Sequence, residues 1–292
     1  MSKQDGASGS KRLQNKMLGQ FDDQDYGQWR ALIEQRTGLQ LADHLRTYLQ
    51  GGLNRRMKLL NIEDYEQYLE YVTDEKNGIK EWSELVDTLT VQETQFFRHP
   101  SSYTFLETYI KNLLVDEKES KSIEIWSVGC SSGEESYSLA MLADKTLANL
   151  EANISYGVIG TDISLSALNK ARAGVYQSRK AELIPEPYLD YVDPLDNKIR
   201  IKKRIADRVC FARVNILDLN RVPIRDMDII FCQNLLIYLR KWRRKEAVNR
   251  LAERLKVGGI LVLGLGEVTD WSHPKLRQVP CRDVLAFERY KA

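Results

Sequence analysis

The stretch from Ile123 to Leu139, IEIWSVGCSSGEESYSL, constrains this chain more than any other. Ile123 to Val128 is a short apolar run between polar flanks, the pattern of a strand buried in a sheet, and from Glu134 onward the spacing is helical. Gly129 and Gly133 fall in the turn between them. A strand, a glycine-bearing loop and a helix in that order place a small ligand against a helix N-terminus.

The charge of the loop narrows the ligand class. Glu134 and Glu135 sit where a pyrophosphate would need bare backbone N–H groups, so a dinucleotide or nucleoside triphosphate would be repelled. A ligand carrying an ammonium and a sulfonium would not be, and S-adenosylmethionine (SAM) has both. A structural reading stands beside this one, because Ser132-Gly-Glu-Glu135 also has the spacing of a capping box, and acidic residues in a first helical turn complement the macrodipole.

Composition excludes several alternatives. With 292 residues the chain suits one large domain or two unequal ones. Lys+Arg of 43 against Asp+Glu of 41 leaves +2, so no global field points to nucleic acid or an anionic membrane, and electrostatic recognition must be local. Cys130, Cys210, Cys232 and Cys281 are widely spaced and no pair has metal-ligand spacing, which fits reduced cysteines in a cytoplasmic protein without a metal site. No run approaches the roughly 18 apolar residues of a membrane span, and a secretory h-region is not expected at the N-terminus.

Residues 1 to about 20 are polar and read as a disordered tail. Residues 21–90 read as a small all-helical domain. Tyr26, Trp29, Leu32 and Ile33 share a helical face ended by Thr37-Gly38, a second helix covers about Ala42 to Leu49, and two more cover Ile62 to Val72 and Ile79 to Leu89. Between the second and third lies LNRRMKLL (53 to 60), where Arg55, Arg56 and Lys58 cluster with Arg46. This is either a solvated basic face or a docking surface for an acidic protein partner. Residues 91–100 form a linker dense in polar and aromatic side chains, with Arg98 beside Phe96 and Phe97, placed to bind a carboxylate in a fixed geometry. Pro100 disfavours helix at His99, and a helix from Tyr103 to Leu114 follows.

From 101 to 292 strands and helices alternate. A second strand, Ile154 to Asp162, ends on an acid suited to ribose hydroxyls or, alternatively, to starting the next helix, with Ser164 as its cap. Lys198 to Lys202 and Val209 to Arg213 alternate with period two, reading as antiparallel strands inserted at about 195 to 214. A buried strand, Met227 to Asn234, ends on a polar pair. A helix, Lys241 to Leu255, stops at Gly258-Gly259, Ile260 to Leu265 is a strand, and Val284 to Arg289 a final edge strand. The pattern predicts an α/β fold, a parallel doubly wound sheet with ligands at the carboxyl ends of the strands.

Five stretches together resemble the CheR family, chemotaxis receptor methyltransferases that esterify glutamates using SAM: TVQETQFFR (90 to 98), IWSVGCSSGEESYSLA (125 to 140), GTDISLSALNKARAGVY (160 to 176), FARVNILDL (211 to 219) and FCQNLLIYL (231 to 239). The resemblance implies a Rossmann-like SAM-methyltransferase domain after an all-helical one, with S-adenosylhomocysteine as product. It implies cofactor contacts at Gln92, Thr94, Arg98, Gly129, Glu135, Asp162, Asn215, Ile216, Asn234 and Leu235, and alignment of substrate carboxylate and methyl group by Arg98 and Tyr238. It also implies a chemoreceptor helical bundle as partner, docked through Arg46, Arg55, Arg56 and Lys58 and the inserted β-subdomain, and a monomeric enzyme. In the family that subdomain tethers the enzyme to receptor tails; the short loop before Lys198 argues against tethering here.

The sequence departs from the family at Gln92, where Asn is usual, at Gln233 (Arg), at Ser136 (Pro) and at Leu265 (His). These departures suggest a divergent branch, such as a pilus-associated paralogue, and leave two further readings: a non-catalytic SAM-binding adaptor of a chemosensory array, or a methyltransferase for another substrate.

Overall fold

A computed structural model describes residues 19–76, 78–116 and 122–291, so the expected tail lies outside the described residues except for Gly19 and Gln20. Helix α1 (Asp23–Thr37) starts at a capping box in which Asp22 and Asp25 each accept the other's backbone N–H, and it stops at Gly38, whose φ of 82° ends the helical path. A short 3-10 turn leads into α2 (Arg46–Leu60), followed by α3 (Tyr65–Thr73) and α4 (Gly78–Leu89). Trp29, Ile33, Leu49, Leu53, Met57, Tyr68 and Leu85 form the core of this helical unit.

The basic stretch 53 to 60 is not a connection between helices but the second half of α2. The helix expected at about Ala42 to Leu49 runs on through Gly51-Gly52. In the fold, a Cβ at residue 52 would stand 2.5 Å from Leu89 Cδ2, so the glycine is what lets α2 and α4 pack closely. The position of the stretch on a helix also separates its cations. Arg56 turns inward and holds both oxygens of buried Glu81, at 2.9 and 2.7 Å, while Tyr68 Oη donates to the same carboxylate. Arg46 is paired with Asp23 and donates to the Phe21 carbonyl. Only Arg55 and Lys58 are exposed and, among the described residues, unpaired. Arg56→Ala is expected to lower stability by about 2 kcal/mol because it leaves a buried carboxylate without its cation, whereas Arg55→Ala should stay within about 0.5 kcal/mol of the parent; urea denaturation of the two variants distinguishes them.

Helix α5 (Pro100–Asp116) begins on Pro100 itself, a first-turn position where the missing N–H would have had no partner. Then come β1 (Ser122–Val128), α6 (Glu134–Asn149), β2 (Ser155–Asp162) and α7 (Leu165–Ala173), the last capped by Ser164 Oγ accepting from Ala167 N. The chain next builds β3 (Val175–Gln177), β4 (Val192–Leu195) and β5 (Lys198–Ile201), a separate antiparallel sheet in the order β3-β5-β4. After the short helix α8 (Lys203–Ala206), the main sheet resumes with β6 (Val209–Arg213), β7 (Met227–Cys232), helix α9 (Lys241–Ala252), β8 (Leu255–Leu263), β9 (Leu276–Val279) and β10 (Leu285–Arg289).

The main sheet has seven strands in the order β6-β2-β1-β7-β8-β10-β9. The first five are parallel; β10 runs antiparallel to both β8 and β9, so the sheet is mixed rather than wholly parallel. The insertion spans 175–201, not 195–214, because β6 pairs with β2 of the main sheet. Gly258-Gly259 lies inside β8 beside a register shift, and the edge strand is β9, which leaves β10 interior.

Alternation along the central strands builds two apolar layers. Ile229, Phe231, Ile260 and Val262 face α5 and α6, while Ile230, Cys232, Leu261 and Leu263 face α9. β7 is buried on both sides, as a central strand of a doubly covered sheet must be. The carboxyl ends of β1, β2 and β7 therefore open on one edge, beneath the helical unit.

Candidate active site

The loop after β1 is anchored through its backbone N–H groups, mostly to the end of β2. Gly129 N and Cys130 N donate to the Thr161 carbonyl, Ser131 N to Asp162 Oδ2 at 2.8 Å, and Gly133 N to the Cys130 carbonyl. Gly129 has a φ of 76°, and a Cβ there would meet Leu235 Cδ2 at 2.9 Å, so the turn requires glycine twice over. These four N–H groups are satisfied within the protein and offer nothing to a phosphate.

The two loop carboxylates separate. Glu134 is fully buried, paired with Lys180 and accepting from Ser132 Oγ, and takes no part in the cleft; the expected repulsion of phosphate by both carboxylates reduces to Glu135. The capping box does not form either: the N-cap of α6 is Gly133, which has no side chain to cap with. Glu135 accepts from Ser127 Oγ at 2.8 Å and lines the cleft; burial pushes its carboxyl up to about 8, against the Ser127 hydrogen bond.

A cleft opens between the loop, the 91–98 linker and the turn after β7. Thr94, Arg98, Gly129, Glu135, Asp162, Asn215, Ile216, Asn234, Leu235 and Tyr238 all line it. Gln92 does not. Its Nε2 donates to Ser164 Oγ and Ser166 Oγ at 3.1 and 2.9 Å, and its Oε1 accepts from Lys170 Nζ, so the longer amide ties the linker to the start of α7 rather than facing the cleft. Asp162 lies both at the start of α7 and in the cleft: each oxygen accepts one backbone N–H, from Ser131 and Ser164, and the residue lines the cleft. Burial holds its carboxyl above the ordinary range. The Asn215 side chain is engaged at both ends, Nδ2 to the Arg36 carbonyl of the helical unit and Oδ1 from Leu217 N.

Some features had no sequence signal. Asn234 adopts a φ of 59°, and its Oδ1 is 2.9 Å from His99 Nε2. Gln233 lines the cleft but is buried, its Nε2 donating to Ser102 Oγ and the Leu263 carbonyl while its Oε1 is buried without a hydrogen-bond partner among the described residues. The Ser131 hydroxyl is likewise buried and unpartnered. Among the described lining residues, Glu93, Glu135 and Asp162 face a single cation, Arg98. The donor set thus fits a cationic ligand with hydrogen-bond donors and an apolar part, the latter facing Ile163, Val214 and Ile216.

The chain matches the family model described as "CheR methyltransferase, SAM binding domain" over residues 92–285, and the one described as "CheR methyltransferase, all-alpha domain" over residues 24–90. The chain belongs to the CheR methyltransferase family. It is 30% identical to the chemotaxis protein methyltransferase of Borreliella burgdorferi, over 79% of this chain and 83% of that one. Identity to the Escherichia coli chemotaxis protein methyltransferase is 31% over 84% of each chain, and to chemotaxis protein methyltransferase 1 of Pseudomonas aeruginosa 29% over 88% of this chain and 94% of that one. As a CheR-family protein the chain is a SAM-dependent methyltransferase, with SAM as methyl donor. Among its described residues no helix is long and apolar enough to cross a membrane.

Proposed function

We propose that this cytoplasmic, monomeric protein methyl-esterifies glutamates on the cytoplasmic helices of chemoreceptors, leaving S-adenosylhomocysteine. The observation that carries this reading is the polar arrangement of the cleft: the carboxyl groups of Glu135 and Asp162 line the part suited to a donor with an ammonium and hydroxyls, and one guanidinium, Arg98, stands where the cleft meets a second groove lined by Arg179 and Lys180. SAM supplies an electrophilic methyl group. Glu135 would hold its ammonium end, Asp162 the ribose hydroxyls, and the side chains of Ile163, Val214 and Ile216 the adenine. Thr94, Gly129, Asn234 and Leu235 close the remaining wall.

A glutamate carboxylate is already ionised near neutrality, so no general base is needed. What remains for the protein is to orient it, partly remove its water and direct one oxygen at the methyl carbon, and orientation contributes about 7 to 11 kcal/mol in well-aligned reactions. Among the described residues Arg98 carries no ion pair and makes only a long 3.4 Å hydrogen bond to the Glu93 carbonyl, so its fork remains open to a carboxylate. Tyr238, whose carbonyl accepts from Gln40 N of the helical unit, orients the same group.

Docking is proposed for the outer face of α2, with Arg55 and Lys58 as its free cations; Arg46 and Arg56 shape it from within their ion pairs. Exposed Tyr48 on this helix lies within electrostatic reach of both Arg55 and Tyr238, which supports a path from that face to the cleft. In the β-subdomain, Leu195 pairs with Lys198, so the turn between them has only Asp196 and Asn197, too little to hold a receptor tail. The test is transfer of labelled methyl from SAM to membranes carrying candidate receptors, then alkaline release of methanol. Base-labile label on receptor is expected. Calorimetric binding of SAM with no label on any receptor of the same cell would defeat the reading.

A further inference from the structure

One buried carboxylate near the cleft has no role in the scheme above. Glu267 follows β8 and is only 3% exposed. Its Oε2 accepts from Gly264 N at 3.0 Å and its Oε1 from Ile237 N at 3.3 Å, with the N–H groups of Asn234 and Leu236 also directed at it. It is not in an ion pair among the described residues, so its charge is balanced by backbone donors of the turn running from Asn234 to Tyr238. That turn carries Asn234 in the left-handed region, Leu235 packed against Gly129, and Tyr238. A side chain at residue 264 would meet Glu267 Oε2 at 2.3 Å, so the glycine there keeps the carboxylate in place.

The carbonyls of the same turn are held from the other side. Arg244, on α9, donates from Nε to the Leu239 carbonyl at 2.9 Å, from Nη2 to Ile237 at 3.1 Å and from Nη1 to the Glu267 carbonyl at 3.2 Å. One residue gathers N–H groups, the other carbonyls, and the turn between them has little freedom. We infer that Glu267 and Arg244 are positioning residues that clamp the 234–239 turn in the shape the methyl donor and the substrate carboxylate require. This rests on the assignment of that turn to the cleft. A backbone turn held by opposite charges on both edges is preorganised, and a loosened wall loses affinity even when every contacting side chain is intact.

The clamp has an electrostatic signature that mere scaffolding lacks. Glu267 is a like-charged neighbour of Glu135 and helps to hold its proton; Cys232 beside them is neutral, and Arg98 acts on Glu135 in the opposite sense. Glu267→Gln, measured in the full chain with S-adenosylhomocysteine as probe, is expected to weaken binding at pH 9 by at least about tenfold, as expected for losing a charge-assisted hydrogen bond, and to move the midpoint of the pH dependence of binding downward. Arg244→Lys keeps the charge but cannot fork across three carbonyls. Arg244 is partly buried, and the variant is expected to weaken binding with the midpoint unmoved. Affinities within about twofold of the parent for both variants overturn the inference, as does an affinity loss in Glu267→Gln with no shift of the midpoint. A parent protein that fails to bind the probe overturns the cleft assignment and this inference with it.

Discussion

Arg98→Ala is expected to slow methyl transfer about a thousandfold, or about 4 kcal/mol, the upper end of what one preorganised donor contributes when it acts on a reacting oxygen. The guanidinium is the only cation among the described cleft-lining residues, and it reaches the groove on the far side of the linker as well. A bidentate partner both fixes the carboxylate plane and compensates its lost hydration. The same substitution should change SAM affinity by no more than about fivefold, because Arg98 is partly solvated and its pull on the α-carboxylate of SAM and on Glu135 is screened. Initial rates with receptor, set beside calorimetric binding, separate the two quantities. Equal losses in both would remove Arg98 from the transfer step and make it a cofactor contact.

Glu135→Gln should have the second largest effect, a loss of about a hundredfold in SAM affinity at pH 9, consistent with about 3 kcal/mol for a hydrogen bond to a charged group. The pH dependence is the sharper signature. Burial raises the carboxyl to about 8 in the free cleft, so near neutrality it is largely protonated, and an ammonium ligand must displace that proton. Binding lowers the pKa, so SAM affinity should climb with pH from about 6 to about 8 and then level, with proton release visible as a dependence of heat on buffer ionisation. The Gln variant should show neither. Stability obeys the opposite sign. A carboxyl raised above its unfolded value leaves the folded state holding more protons between the two values, so the parent loses stability as pH rises from about 4.5 to about 8. Glu135→Gln should therefore match the parent in thermal midpoint at pH 4 and exceed it at pH 8. A Gln variant that retains the parent's slope of affinity against pH would place the titrating group elsewhere.

The most legible parts of this protein were those where one short segment sets its own environment. The run Ile123 to Val128, the two glycines and the helical spacing after Glu134 are local signals, and the structure places them as a strand, a tight turn and a helix. Segments whose roles depend on distant partners were less legible. Val209 to Arg213 alternates as an antiparallel strand would, but alternation says nothing about the neighbour, and this strand pairs parallel with β2. Arg55 and Arg56 are adjacent in a basic run, yet one faces solvent and the other a buried carboxylate 25 residues away. The resemblance implies a cofactor contact at Gln92, while the reach of its amide across to Ser166 is visible only in three dimensions. Glu267 carried no signal at all, since a lone glutamate after a strand reads as surface.

The anchoring of the glycine loop to the end of β2 has a consequence for the cell. Its Gly129, Cys130, Ser131 and Gly133 N–H groups are all engaged by carbonyl or carboxylate oxygens of the protein, so this loop has no phosphate cradle that ATP or a dinucleotide could borrow. Abundant nucleotides should then be poor competitors, and occupancy of the enzyme should track the ratio of methyl donor to its demethylated product rather than energy charge. Sensory adaptation built on such an enzyme would report methionine metabolism while being deaf to swings in the nucleotide pool.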